Sequence, residues 1–156
     1  LSEELDLGYV YGNCEDPRLK VVPLTPVRIS VVGPADTEFD TLPADFESRR
    51  RLPWVWPNRD CPFFDFMKDL LGPQASLSDA ATSSDDEYST VVMVKSGMGF
   101  GLVEREFAEQ SQSRGGVRIF DDPEMITNLN LICGVRNYER SELRALFDLI
   151  VSEWKP

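Results

Sequence analysis

The chain has 156 residues, 42% of them hydrophobic and 28% charged, the size and composition of one ordinary globular domain. Its 27 acids against 16 bases leave a net charge of −11, which excludes a nucleic-acid surface of its own, because neutralised phosphate supplies most non-specific affinity. Histidine is absent, so Ser-His-Asp and Cys-His catalysis and the commonest metal ligand are excluded too, and no run is long enough to span a bilayer.

Along the chain, residues 5–11 alternate as a strand stopped by Gly12-Asn13, and a polar loop follows to Leu19. Residues 27–32 predict a second strand, ended by Gly33-Pro34. A helical turn is expected at Leu42-Pro43-Ala44-Asp45-Phe46. The only basic cluster, Arg49-Arg50-Arg51, reads as an exposed helix end with cations at the favourable terminus. A short aromatic strand over 52–56 leads into the turn-rich loop Pro57-Asn58-Arg59-Asp60-Cys61-Pro62. A helix over 62–71 follows, with Pro62 at its first position and Gly72-Pro73 as its stop. Its wide apolar arc of Phe63, Phe64, Phe66, Met67, Leu70 and Leu71 suits deep packing or, in part, a subunit contact. A polar-leaning strand is expected over 74–80.

The next stretch organises the rest. Ser84 followed by Glu87 has the spacing of a capping box, Asp85 and Asp86 suit the positive end of a helix dipole, and Gly97 suits a left-handed stop. These signals outweigh the strand preference of Val91-Val92-Met93-Val94 and predict a helix over 85–96. Gly99-Phe100-Gly101-Leu102 reads as a short strand and 104–110 as a short helix. Strands are expected over 117–120, broken by Asp121-Asp122-Pro123, and over 129–135. A last helix begins near Ser141, a good N-cap, with Leu143, Leu146, Phe147, Ile150, Val151 and Trp154 on one face.

Apolar helix, small-residue turn and short strand over 85–103 resemble the effector-binding domain of LysR-type transcriptional regulators. Leu5-Asp6-Leu7, the turn at 42–46 and the aromatic strand at 52–56 are similar to that family's further motifs, in the same order. The His-Pro-Leu usual after the second strand is replaced by Gly33-Pro34-Ala35-Asp36. The resemblance implies an α/β fold: a mixed-sheet Rossmann-like lobe of the type II periplasmic-binding-protein-like class, with the second lobe incomplete. It implies a complete lobe over about 25–126 and a remnant of the other lobe over 1–24 and 127–156. The family's opening strand–helix stretch and its winged helix-turn-helix are absent. With no initiator Met or signal segment, and a start that reads as the end of something, the chain is expected to be a piece of a longer protein.

Two turns are expected to face one another across a cleft: Pro57-Asn58-Arg59 with Cys61, Phe63 and Phe64 at a helix start, and Gly97-Met98-Gly99-Phe100. Free amides at a helix N-terminus attract anions, and glycines let backbone approach a ligand. Tyr11, with Tyr9 beside it on the same strand face, is the candidate on the hinge side. Each has a plainer reading: Gly97 as a cap, Phe63 and Phe64 as core, and the pairs Asp85/Asp86 and Asp121/Asp122 as dipole and turn residues. Cys14, Cys61 and Cys133 form no metal or disulfide pattern, which suits a reducing cytoplasm. Cys61 beside Arg59 could hold a thiolate, but neither other cysteine falls in its lobe as a resolving partner.

By resemblance, then, the chain is the effector-sensing part of a cytoplasmic regulator. It takes a small metabolite of the often anionic kind that the family binds, without cofactor, catalysis or membrane contact. In the full-length protein it would be a homodimer or tetramer, touching DNA only through the absent winged helix-turn-helix. The alternatives are an extracytoplasmic solute-binding protein and an enzyme of this fold, such as a dehydratase. The missing lobe elements are expected to leave the face of the last helix under-covered.

Overall fold

The computed structural model describes residues 5–77, 80 and 82–154. In chain order the elements are β1 (Leu7–Tyr11), β2 (Leu19–Pro34), α1 (Phe46–Arg51), β3 (Val55–Pro57), α2 (Phe64–Leu71) and β4 (Thr82–Ser84). They continue with α3 (Glu87–Lys95), β5 (Gly101–Glu104), α4 (Arg105–Ser113), β6 (Val117–Gly134), α5 (Val135–Tyr138) and α6 (Ser141–Trp154). One sheet has the order β1-β6-β2-β5 and a second pairs β3 with β4. Antiparallel β1–β6 and β2–β5 ladders beside the parallel β3–β4 pair make this a mixed α/β fold, as expected.

The chain divides into two compact units, Arg28–Met125 and the combination of Leu1–Val27 with Ile126–Pro156. In the contiguous unit, Val32, Val55, Val91, Val94, Val103, Ala108 and Val117 form one core cluster. Beside it Phe100 stacks on Phe39 at 5.7 Å and meets Trp54 at 5.6 Å and Phe120 at 5.7 Å. β2 supplies Val32 and β5 supplies Val103, while α3 adds Val91 and Val94 at helical spacing. In the other unit Leu131, Cys133 and Phe147 are the buried centre, joined by Leu7, Val22, Leu24, Tyr138, Ile150 and Val151. Lys20 lies over the Tyr138 ring, 4.3 Å from its centroid, a cation–π contact that holds the edge of this core.

Several expectations are corrected. The N-cap of α3 is Asp86, whose carboxylate accepts from Ser89 N at 2.8 Å, so no Ser84–Glu87 capping box forms. Ser84 instead donates to Asp86 O at 2.8 Å, which fixes the turn before the helix. The helix α2 starts at Phe64, leaving Pro62 in the preceding turn, where Phe64 N donates to Cys61 O at 3.0 Å. No strand forms over the described part of 74–80; residues 78 and 79 lie outside the described residues, as do Leu1 to Glu4. The strand is β4, placed by its register with β3 (Val55↔Thr82 to Pro57↔Ser84). Asp121-Asp122-Pro123 does not break β6, an 18-residue strand that neighbours β2, because a neighbouring strand holds it where local propensity would not.

Candidate functional site

The parallel pair β3–β4 has its carboxyl ends at Pro57 and Ser84, and each strand feeds a helix through a short loop. In open α/β sheets ligands bind outside such carboxyl ends. The first loop runs from Asn58 to the start of α2. Its turn is closed by Cys61 N donating to Asn58 O at 2.9 Å, and Asn58, Arg59 and Asp60 are exposed. The second is Asp85-Asp86 before α3. The Asn58 side-chain amide donates to the Asp85 carboxylate, which ties the two loops into one edge.

The two helix starts at this edge differ. Asp86 fills that of α3, and its bonds from the Ser89 amide and hydroxyl hold its carboxyl below the usual range. The start of α2 has no side-chain cap: its N-cap is Phe63, whose side chain is buried. Phe64 N donates to Cys61 O, and amides further into a start without a side-chain cap attract an anion. Arg59 stands nearby in sequence with no hydrogen-bond or ion-pair partner among the described residues.

Behind the edge, Glu87 at the start of α3 accepts from Glu104 N at the start of α4. Burial pushes its carboxyl up, partly offset by that bond, and the Glu104 and Asp86 charges add to the rise. Burial also pushes the Cys61 thiol up; the Phe63 amide draws it partly back and Glu87 raises it further. The thiolate that Arg59 could have stabilised is therefore disfavoured, which corrects that expectation.

The turn Gly97-Met98-Gly99-Phe100 lies at the other end of α3. Gly97 N donates to Val94 O at 2.9 Å and Met98 N to Met93 O at 3.1 Å, with Gly97 at φ 77°, which together form a Schellman stop. Gly99, at φ 147°, leaves no room for a Cβ, which would land on the Pro53 carbonyl. Phe100 N donates to that same carbonyl at 2.9 Å, and Val55 N donates to Phe100 O at 2.8 Å. The nine residues of α3, about 13 Å at about 1.5 Å per residue, separate this turn from the Asp85-Asp86 loop. So the structure brings Pro57, Asn58, Arg59 and Cys61 to one edge with Asp85, and does not bring Gly97-Met98-Gly99-Phe100 there. Phe63 and Phe100 are both 5% exposed and serve the core, and Phe64 packs on Trp56 at 5.6 Å. Met98 is 46% exposed. Tyr11, half-buried, pairs with Leu129 in the other unit. Sequence reading missed Asp85 as a wall of the site, although its position before a capped helix start was the available signal.

Among the described residues no group of three or more His, Cys, Asp or Glu is placed to hold a metal ion. No described helix is long and apolar enough to cross a membrane.

A family model described as the LysR substrate binding domain matches residues 1–155. No curated protein matches the chain. Among solved structures, an H2O2-bound OxyR mutant from Corynebacterium glutamicum superposes with a TM-score of 0.72 at 20% identity, covering 96% of this chain and 49% of that one. The effector binding domain of QuiR in complex with shikimate gives 0.72 at 16% identity, covering 96% and 71%. The CrgA regulatory domain from Neisseria meningitidis, a LysR-type transcriptional regulator, gives 0.67 at 15%, covering 97% and 76%. The chain thus spans about half the length of the OxyR chains it resembles. Residues 1–155 match from end to end in the order the fold displays, and the chain belongs to the LysR substrate-binding domain family.

Proposed function

We propose that this chain is the effector-sensing part of a cytoplasmic LysR-type transcriptional regulator, and that it recognises a small carboxylate at the edge formed by Asn58, Arg59 and Asp85. The observation that supports this is a start of α2 without a side-chain cap, preceded by the loop that carries the unpaired Arg59, at the carboxyl ends of two parallel strands. Shikimate, the ligand of the QuiR structure, is itself a small hydroxylated carboxylate. Asn58 can hydrogen-bond a hydroxyl and Arg59 can grip a carboxylate through two parallel N–H groups. The chain would act by differential affinity for two conformations rather than by catalysis. Homo-oligomer formation and operator contact belong to the longer protein, the latter through a winged helix-turn-helix. Nothing observed favours an extracytoplasmic solute-binding protein. Cys61, held as a thiol, serves packing rather than peroxide chemistry.

Thermal shift against small carboxylates including shikimate, followed by calorimetry and a turnover assay on each hit, tests this reading. Arg59→Ala should weaken a true effector by roughly tenfold or more, and Asn58→Ala by a lesser factor. Affinity indifferent to both substitutions, or conversion of the hit to product, would reject it.

A further inference from the structure

A hollow lies in the contiguous unit, lined by none of the residues of the Asn58 edge. It has a volume of about 240 Å³ and sits between the first residues of this unit on β2, the start of α4 and the middle of β6. That is well beyond what one water needs and leaves room for a small organic molecule.

Its lining carries two guanidinium groups, Arg28 and Arg105, against two carboxylates, Asp121 and Glu124. Half of these charges are already matched. Arg105 bonds Glu109 at 2.6 Å and pairs with Asp121, so both members of that pair are occupied. Arg28 and Glu124 have no hydrogen-bond or ion-pair partner among the described residues, and they do not pair with each other across the hollow they share.

The third feature is Ser30. It is 4% exposed, lines the same hollow and shares the β2 face of Arg28, two residues before Val32 buries itself in the core. Its hydroxyl has no hydrogen-bond partner among the described residues and is not among the sealed polar atoms. Ser30 lines the hollow and its hydroxyl is not sealed, so the oxygen is available to a ligand or ordered water there.

We propose that this hollow binds a small zwitterion of the α-amino acid class. The Arg28 guanidinium and the Ser30 hydroxyl receive its carboxylate and the Glu124 carboxylate receives its ammonium. One further fact selects this class. The lining is balanced in charge, with Arg28 and Arg105 against Asp121 and Glu124, so a ligand with one net charge leaves an unmatched group behind.

The probes are the twenty proteinogenic α-amino acids, titrated singly into the isotope-labelled chain while backbone amides are followed by NMR. At least one should give saturable shifts centred on residues 28–30 and 120–124. Its decarboxylated amine and its deaminated acid should each bind roughly tenfold more weakly, as should the parent ligand to Arg28→Ala and to Glu124→Ala. Both substitutions are of exposed side chains and should leave the spectrum of the fold intact; Ser30→Ala provides a third, conservative variant. The proposal is overturned if none of the twenty binds up to roughly 10 mM, or if the deaminated acid binds as well as its parent. It is equally overturned if binding survives Arg28→Ala and is lost in Arg59→Ala, which would locate the ligand at the Asn58 edge.

Discussion

Glu87 shows how one side chain can couple two helices and a pH response. Its carboxylate sits at the start of α3 yet accepts from the amide of Glu104, the last residue of β5 and the N-cap of α4, and burial raises its pKa above the ordinary 4.5. The folded chain therefore binds the proton more tightly than the unfolded chain does. Between 4.5 and the raised folded value it holds the extra proton, so stability falls as pH rises through that window and stays lower above it. Glu87→Gln keeps an oxygen for the Glu104 amide and removes the charge. Urea midpoints of wild type and variant should lie close together below about pH 4 and diverge in the variant's favour towards neutrality. Parallel midpoint curves across that range would reject a desolvated carboxylate. Cys61 teaches the complementary lesson. Arg59 beside it in sequence suggests an activated thiol, but the groups that act on it are its own burial, the Phe63 amide and the Glu87 carboxylate.

Helix ends were legible where the signal was local. The stop at Gly97 and the dipole-suited acids before α3 were read correctly because a positive-φ position and an exposed helix start impose themselves on a few residues. Which acid does the capping was not legible, since Ser84, Asp85 and Asp86 all carry a suitable oxygen. The distinction is measurable. Asp86→Ala should lower the Tm by roughly 2–4 °C, and Ser84→Ala, which loses only a turn bond, should lower it less. The reverse order would restore the capping box. Strand extents were harder. β2 and β6 run for 16 and 18 residues through prolines and polar pairs, because each is held by the other and no window of sequence contains both. The same non-locality governs the candidate site. The loop at Pro57-Asn58-Arg59 was visible as a turn, but its neighbour at the sheet edge is decided by the β3–β4 register. That register supplies Asp85 and leaves the Gly97 turn at the far end of α3.

At the scale of the whole chain, the last helix carries the strongest periodic pattern and buries only part of it. Leu143 and Phe147 are buried, while Leu146, Leu149 and Trp154 are 45%, 57% and 41% exposed. Apolar groups clustered this way bind hydrophobic dyes and promote self-association. Substituting Leu146 and Trp154 by Lys together should reduce both dye fluorescence and the sedimentation coefficient at high concentration; no change in either would mean that the face is inert. The division of the chain has a temporal consequence as well. The unit holding the Asn58 edge and the hollow is one uninterrupted stretch, Arg28–Met125, whereas the other draws on segments from either side of it. As the chain leaves the ribosome, the first unit has all of its residues before the second has its last strand segment and helices, so ligand recognition can mature while its companion still waits for the final segment to be synthesised.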